Sequence, residues 1–214
     1  MRCAVGMTSP PDLFYENNLW FSWQYLAGLD EAGRGALAGP VCVGAVILPH
    51  DSPLLLQTLS GVRDSKQLTP RRREKLVPCI KQVALAWGIG FASAVEIDEL
   101  GIVPATRLAA NRVLEAMPIL PDFLLTDFRL ELPELDLPQA ALVKGDQRSL
   151  SIASASVLAK TARDALMIEQ DVRFPQYGFA HHKGYGSLAH RLAIAKFGFS
   201  PIHRKTFRIK SGNT

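Results

Sequence analysis

Three short apolar runs in this chain each end on an aspartate. Leu26-Ala27-Gly28-Leu29 runs into Asp30, Phe123-Leu124-Leu125-Thr126 into Asp127, and Ala140-Ala141-Leu142-Val143 into Lys144-Gly145-Asp146. Runs of this kind read as buried strands. For the three acids to meet, the first and fourth strands must lie side by side and parallel, with helices making the crossover. Gathered carboxylates repel one another unless a cation joins them. Mg²⁺ or Mn²⁺ does so through a few carboxylates plus phosphate oxygens and water. Two such ions activate a water on one side of a phosphodiester and stabilise the leaving oxygen on the other.

The first of these sites is the richest. Asp30-Glu31-Ala32-Gly33-Arg34-Gly35 sets two adjacent carboxylates beside an arginine between two glycines, where the backbone can bend and approach a phosphate closely. A polar, Gly-rich turn after a strand is the plainer reading of the same residues. Neighbours in a strand face opposite ways, so Glu31 is expected to leave regular strand geometry in order to join Asp30.

The remaining segments support an α/β chain. Residues 12–24 read as an amphipathic helix, with Asp12 as its cap, covering one edge of the core. Strands are expected at 25–29, 41–48, 87–95, 123–127 and 140–143, the first two forming a hairpin. After Asp64-Ser65-Lys66, Thr69 and Pro70 begin a helix to about Ala86, which Pro78 should kink or divide. A second helix spans 102–117. A third, 149–171, has small residues, Ala153, Ser156, Ala159 and Ala162, toward the sheet, with Lys160, Arg163 and Asp164 on its other face. Ser187 caps a last helix ending at Gly198.

Net charge is only +4, yet residues 172–214 contain no Asp or Glu, eight Lys or Arg and four of the five histidines, so the rest of the chain carries −4. Aromatic residues interleave these charges, a pattern that suits a phosphate backbone. Arg204 and Lys205 count among the expected phosphate contacts; His181, His182 and His203 could serve as general acids, but in a basic tail they read as contacts to phosphate or to nothing. Asp164, beside Arg163 inside a helix, reads as an ion-pairing residue and not as a ligand. Cys3, Cys42 and Cys79 are odd in number and far apart, which suggests neither a disulfide framework nor a zinc site. No signal peptide or membrane span is evident, and a soluble, cytoplasmic protein is expected.

Several longer stretches in fixed order carry a resemblance. They are Ala27-Gly28-Leu29-Asp30-Glu31-Ala32-Gly33-Arg34-Gly35, Leu37-Ala38-Gly39-Pro40-Val41, Asp64-Ser65-Lys66, Lys144-Gly145-Asp146, the helix with Ser154-Ala155-Ser156, Ala159-Lys160 and Arg163-Asp164, and Tyr177-Gly178-Phe179 followed by His182-Lys183-Gly184-Tyr185. From Tyr25 to about Phe207 the chain resembles the ribonuclease HII (type 2 ribonuclease H) family. The resemblance implies an RNase H-like fold, a mixed five-stranded sheet flanked by helices, forming one domain over residues 1–214, with 172–214 a helical, basic, substrate-binding extension. It implies an endonuclease that cuts the RNA strand of RNA-DNA hybrids and incises duplex DNA 5′ of embedded ribonucleotides, leaving a 3′-hydroxyl and a 5′-phosphate. Asp30, Glu31, Asp127 and Asp146 match the acids that hold two Mn²⁺ or Mg²⁺ ions. Gly33, Arg34 and Gly35 match a loop that senses the 2′-hydroxyl, and Tyr185 the ring that packs on the following deoxyribose. Lys66 and Lys160 are candidate backbone contacts, and a monomer is expected.

Two positions depart from the family pattern. Ala36 stands where proline is usual, and Phe128-Arg129 replaces a Gly-Asn-like turn after Asp127. With only a short stretch before the first strand, the extra N-terminal domain of type 3 enzymes is not expected. The alternatives are another RNase H-like nuclease such as a junction resolvase, which needs no 2′-hydroxyl sensor, and a nucleic-acid-binding protein without catalysis. Intact acids at all four positions count against the second.

Overall fold

The computed structural model describes residues 10–128 and 130–209. The apolar runs form β1 (Leu26–Ala32), β2 (Val41–Ile47), β3 (Ala86–Ala92), β4 (Phe123–Asp127) and β5 (Gln139–Leu142). They make one mixed sheet in the order β3-β2-β1-β4-β5. β2 is antiparallel to β1 and to β3, and β4 is parallel to β1 and to β5. Leu29 lies opposite Thr126, so Asp30 and Asp127 leave adjacent strands at the same level.

The helices are α1 (Phe14–Leu19), α2 (Leu55–Thr58), α3 (Pro70–Val83), α4 (Ala94–Leu100), α5 (Ile102–Ala116), α6 (Leu150–Arg173), α7 (Phe179–His182) and α8 (Leu188–Phe197). Caps set their starts. The Thr69, Ser149 and Ser187 hydroxyls accept from the backbone N–H of Arg72, Ile152 and His190. On one sheet face α5 closes a core of Leu29, Val43, Ile47, Ala109 and Val113. On the other, α6 lies almost against the backbone of β1 and β2. A β-carbon at Gly28 would sit 2.3 Å from the Ser151 carbonyl carbon, and one at Gly44 2.4 Å from the Ala155 oxygen. Only glycine admits that approach, and it brings Ser156 of α6 up to Asp30.

Several expectations change. The first helix is α1 alone, and Asp12 accepts from the Phe14 N–H ahead of it. Its flank still covers an edge, since Tyr15, Leu19, Trp20 and Trp23 pack on Leu26, Phe123, Leu125 and Ile152. α3 runs unbroken through Pro78, which is exposed, so that water can serve the carbonyl its ring leaves unbonded. β1 continues past Leu29 through both acids to Ala32, paired with β2 throughout, so Glu31 has not left the strand.

Glu16 escaped the sequence reading. It is fully buried, and its Oε1 accepts from Ser149 Oγ (2.6 Å), Ser151 Oγ (2.7 Å) and Ser151 N (2.9 Å) at the start of α6. Burial raises its pKa, opposed by those hydrogen bonds. A carboxylate there suits the positive end of the helix. Among the described residues no helix is long and apolar enough to cross a membrane.

Candidate active site

β1 presents Asp30 toward α6 and Glu31 from its opposite side, as strand alternation requires. They meet because the Asp30 side chain bends forward, its Oδ1 accepting from the Glu31 N–H at 2.8 Å. Asp127 ends β4, and its Oδ1 accepts from Gly145 N at 2.9 Å. That bond depends on Lys144, whose left-handed φ of 56° turns the chain after β5 and delivers Asp146 on a 3-10 turn. The Gly145 amide thus orients Asp127 despite its unusual neighbours. Phe128 stays tied to Leu142 O, and Arg129 lies outside the described residues.

Asp30, Glu31 and Asp127 can each bring one oxygen within 4.8 Å of the others. Asp146 lies outside that group and stands beside Lys66, at 3.8 Å. A fifth acid joins it, which the sequence reading placed in a motif but did not assign to the site. Asp64 is buried, its Oδ1 accepting from Lys66 N and its Oδ2 from Gln147 Nε2. Glu31, Asp64, Asp127 and Asp146 line one cleft of about 320 Å³.

The electrostatics are those of a cation site. Burial first, then the Glu31, Asp146 and Asp127 charges, hold Asp30 well above the usual carboxylate range, with Ser156 pulling the other way. Burial also raises Glu31, against Arg34 at 3.6 Å. Burial and then Asp64 push Asp146 up to about 6, against Lys66. Burial lowers the Lys66 ammonium, but Asp30, Asp146, Asp64 and Glu31 together carry it above its ordinary value. Glu31 Oε2 is buried with no hydrogen-bond partner. An orphaned anionic oxygen is costly, and a hard divalent cation satisfies it, so these residues fit the metal the sequence implies.

A pH dependence follows. An acid raised from 3.8 to about 6 by folding contributes stability that is complete below pH 3.8 and is lost as pH rises through about 6. Metal-free Asp146→Asn should therefore gain melting temperature relative to the unaltered protein as pH rises across that window. Thermal melts in chelator from pH 4 to 8 check this, and equal slopes in both proteins would contradict it.

Beside the acids, and sharing Glu31 and Lys66 with them, is a second cavity of about 500 Å³ lined by Gly33, Arg34, Gly35, Lys160 and Tyr185. Gly33 takes φ +88°, and a β-carbon there would overlap the Arg163 guanidinium. Arg163 and Arg204 were not expected here. Arg163 is fully buried, contrary to its expected outward face, and donates to the carbonyls of Pro40 (2.8 Å), Lys183 (3.0 Å) and Ala38 (3.1 Å). One heptad after Ser156, it shares the sheet-facing stripe of α6, and that spacing was the available signal. Arg204, also buried, donates to Gly39 O (2.9 Å), Arg34 O (2.9 Å) and Gly33 O (2.8 Å). Burial and then Arg163 lower its pKa to about 9, so it stays charged at neutral pH.

Tyr185 is 37% exposed at the cavity edge, its ring 5.3 Å from Lys160 Nζ. Lys160 is held by Asp164 at 2.7 Å, and Asp164 also accepts from buried Arg73 at 2.8 Å, so Asp164 is an ion-pairing residue as expected.

The tail divides differently from the reading of its charges. His203 is buried, not surface-facing: its Nδ1 accepts from Ser200 N at 2.8 Å, and its Nε2 lies 3.0 Å from that of His190. Burial lowers both rings to about 4, so both are neutral at neutral pH. Arg204 likewise faces inward. Among the described residues of this segment, Arg173, Lys196, Lys205 and Arg208 are the exposed lysines and arginines. Cys42 and Cys79 are free thiols, and Cys3 lies outside the described residues.

The ribonuclease HII family model matches residues 27–210. The chain is 53% identical over 197 residues to a ribonuclease HII of Syntrophotalea carbinolica, covering 92% of this chain and 91% of that one. It is 51% identical over 199 residues to a ribonuclease HII of Chloroflexus aurantiacus, covering 92% and 93%. Among solved structures, ribonuclease H2 from Pyrococcus horikoshii aligns with a TM-score of 0.71 at 25% identity, covering 86% of this chain and 94% of that one.

Proposed function

The chain belongs to the ribonuclease HII family, and from that premise we propose how its residues divide the work of a type 2 ribonuclease H. It is an endonuclease, a phosphodiester hydrolase that acts on nucleic acid. The substrates are RNA-DNA hybrids and duplex DNA carrying single ribonucleotides, cut 5′ of the ribonucleotide to leave a 3′-hydroxyl and a 5′-phosphate. The observation that carries this reading is the buried acid cluster, with its unpaired Glu31 Oε2, sharing a wall with the cavity of Gly33, Arg34 and Gly35.

Ribonucleases H depend on divalent metal, and here Asp30, Glu31, Asp127 and Asp146 would hold two Mg²⁺ or Mn²⁺ ions. When bound, they supply the positive charge that acidifies the attacking water and stabilises the leaving 3′ oxygen. Asp146, raised by burial to about 6, is still mostly ionised at neutral pH and so would present a charged oxygen to a cation. Asp64 braces Asp146 and the Lys66 backbone. Lys66, on the wall common to both cavities, reaches the scissile phosphate, and Lys160 the next one along. The loop of Gly33, Arg34 and Gly35 meets the 2′-hydroxyl, the group that tells RNA from DNA.

We read residues 1–214 as one RNase H-like domain, monomeric and cytoplasmic. Its 172–214 segment holds duplex phosphates through the exposed Arg173, Lys196, Lys205 and Arg208. Incubating the protein with a duplex bearing one ribonucleotide, plus Mg²⁺ or Mn²⁺, and mapping the cut tests the whole reading. A cut independent of the ribonucleotide would favour a resolvase-like nuclease instead.

Tyr185 packs on the sugar following the ribonucleotide, where an apolar deoxyribose face suits the ring. Tyr185→Ala should lose about 5- to 150-fold in single-turnover rate on the single-ribonucleotide duplex, the size of a stacking contact. The loss on a continuous hybrid should be smaller, because the next sugar there is ribose. Equal losses on both substrates would reduce Tyr185 to a support for the loop.

A further inference from the structure

The loop of residues 33–39 rests on a charged side chain that never reaches the surface. Arg204 spends its Nε, Nη1 and Nη2 on the carbonyls of Gly39, Arg34 and Gly33, while its own backbone N–H donates to Leu37 O at 2.9 Å. No cis peptide occurs among the described residues. A trans peptide is planar, with its C=O and N–H pointing in opposite directions. Because the Arg34 carbonyl is turned inward to Arg204, the Gly35 N–H in the same peptide is turned outward. Outward is toward the cavity: Gly35 lines it, and a β-carbon built at Gly35 meets no atom within 4 Å.

We propose that Arg204 is a positioning residue for substrate selection, fixing the Arg34-Gly35 peptide so that the Gly35 N–H donates to the ribose 2′-oxygen. This inference rests on the loop reading the 2′-hydroxyl, as proposed above. A deoxyribose offers no oxygen at that place, so the donor contributes only when a ribonucleotide is present. Without the guanidinium fork the peptide can rotate and present its carbonyl instead, which weakens the preference while leaving phosphate contacts alone. Lysine cannot replace the fork, because one ammonium has no planar set of donors to span three carbonyls.

The test compares Arg204→Lys and Arg204→Gln with the unaltered protein. Binding is measured on a duplex with one ribonucleotide and on its all-deoxy counterpart, with Ca²⁺ present to keep the strands intact. The variants should lose about 5- to 30-fold of the ribonucleotide preference, the worth of a hydrogen bond or two, and bind the all-deoxy duplex within about twofold of normal. Variants that keep the preference, or lose it only in step with all-deoxy binding, overturn the role of Arg204. Absence of any preference in the unaltered protein overturns the underlying loop reading as well. Should neither variant fold, unaltered protein labelled with ¹⁵N-glycine decides. The Gly35 amide resonance should shift with the ribonucleotide duplex and not with the all-deoxy one, and identical shifts would overturn the proposal.

Discussion

Asp30→Asn and Asp146→Asn are expected to leave at most about a thousandth of the normal cleavage rate, the consequence of losing several kcal/mol of transition-state charge stabilisation. Asparagine keeps the shape and one oxygen but removes the charge that holds a cation. The same substitutions should leave the metal-free protein as stable as before or more so. Burial and like charges hold both acids above their ordinary range, which means that ionising either one costs folding energy. Inactivity with an undiminished melting temperature is therefore the signature. Measuring single-turnover cleavage and thermal melting on the same preparations checks it, and substantial cleavage by either variant would remove that acid from the metal site.

Asp164→Ala should have the opposite signature. Asp164 joins the nearly buried Arg73 of α3 to Lys160 of α6, and deleting it leaves the Arg73 charge without its partner, at a cost of about 3–5 kcal/mol. Arg73 also donates to the carbonyls of Ser65 and Leu68, so the loop carrying Asp64 and Lys66 should loosen with it. Chemical denaturation reads the stability loss, and calorimetric titration with Mn²⁺ should give the normal number of sites. A missing site would make Asp164 a ligand after all.

The acids were legible because each closes an apolar run, and strand alternation with a parallel crossover leaves few ways to arrange three such runs. The order of β1 beside β4 follows from that requirement alone. What escaped was charge that works inward. Glu16, Arg163 and Arg204 satisfy hydroxyls or backbone carbonyls contributed by distant segments, and no local periodicity announces such a partner. Arg204 sits in a run of basic residues, where composition argues for a surface. His203, beside it, is likewise claimed by Ser200 and His190 and not by phosphate. Asp64 lies in a loop with no strand behind it to advertise its direction.

β1 carries the acids, and the same chain segment continues without a break into the loop at Gly33-Arg34-Gly35. On the proposed reading, recognition and scission are two marks on one ruler, engraved at a fixed spacing by the pairing of β1 with its neighbours. Such an enzyme would have no need to locate the ribonucleotide and then search for the bond. With the sugar seated at the loop, the phosphate at its 5′ side would already be at the acids, and a duplex shifted by one nucleotide would present the wrong group to both marks at once.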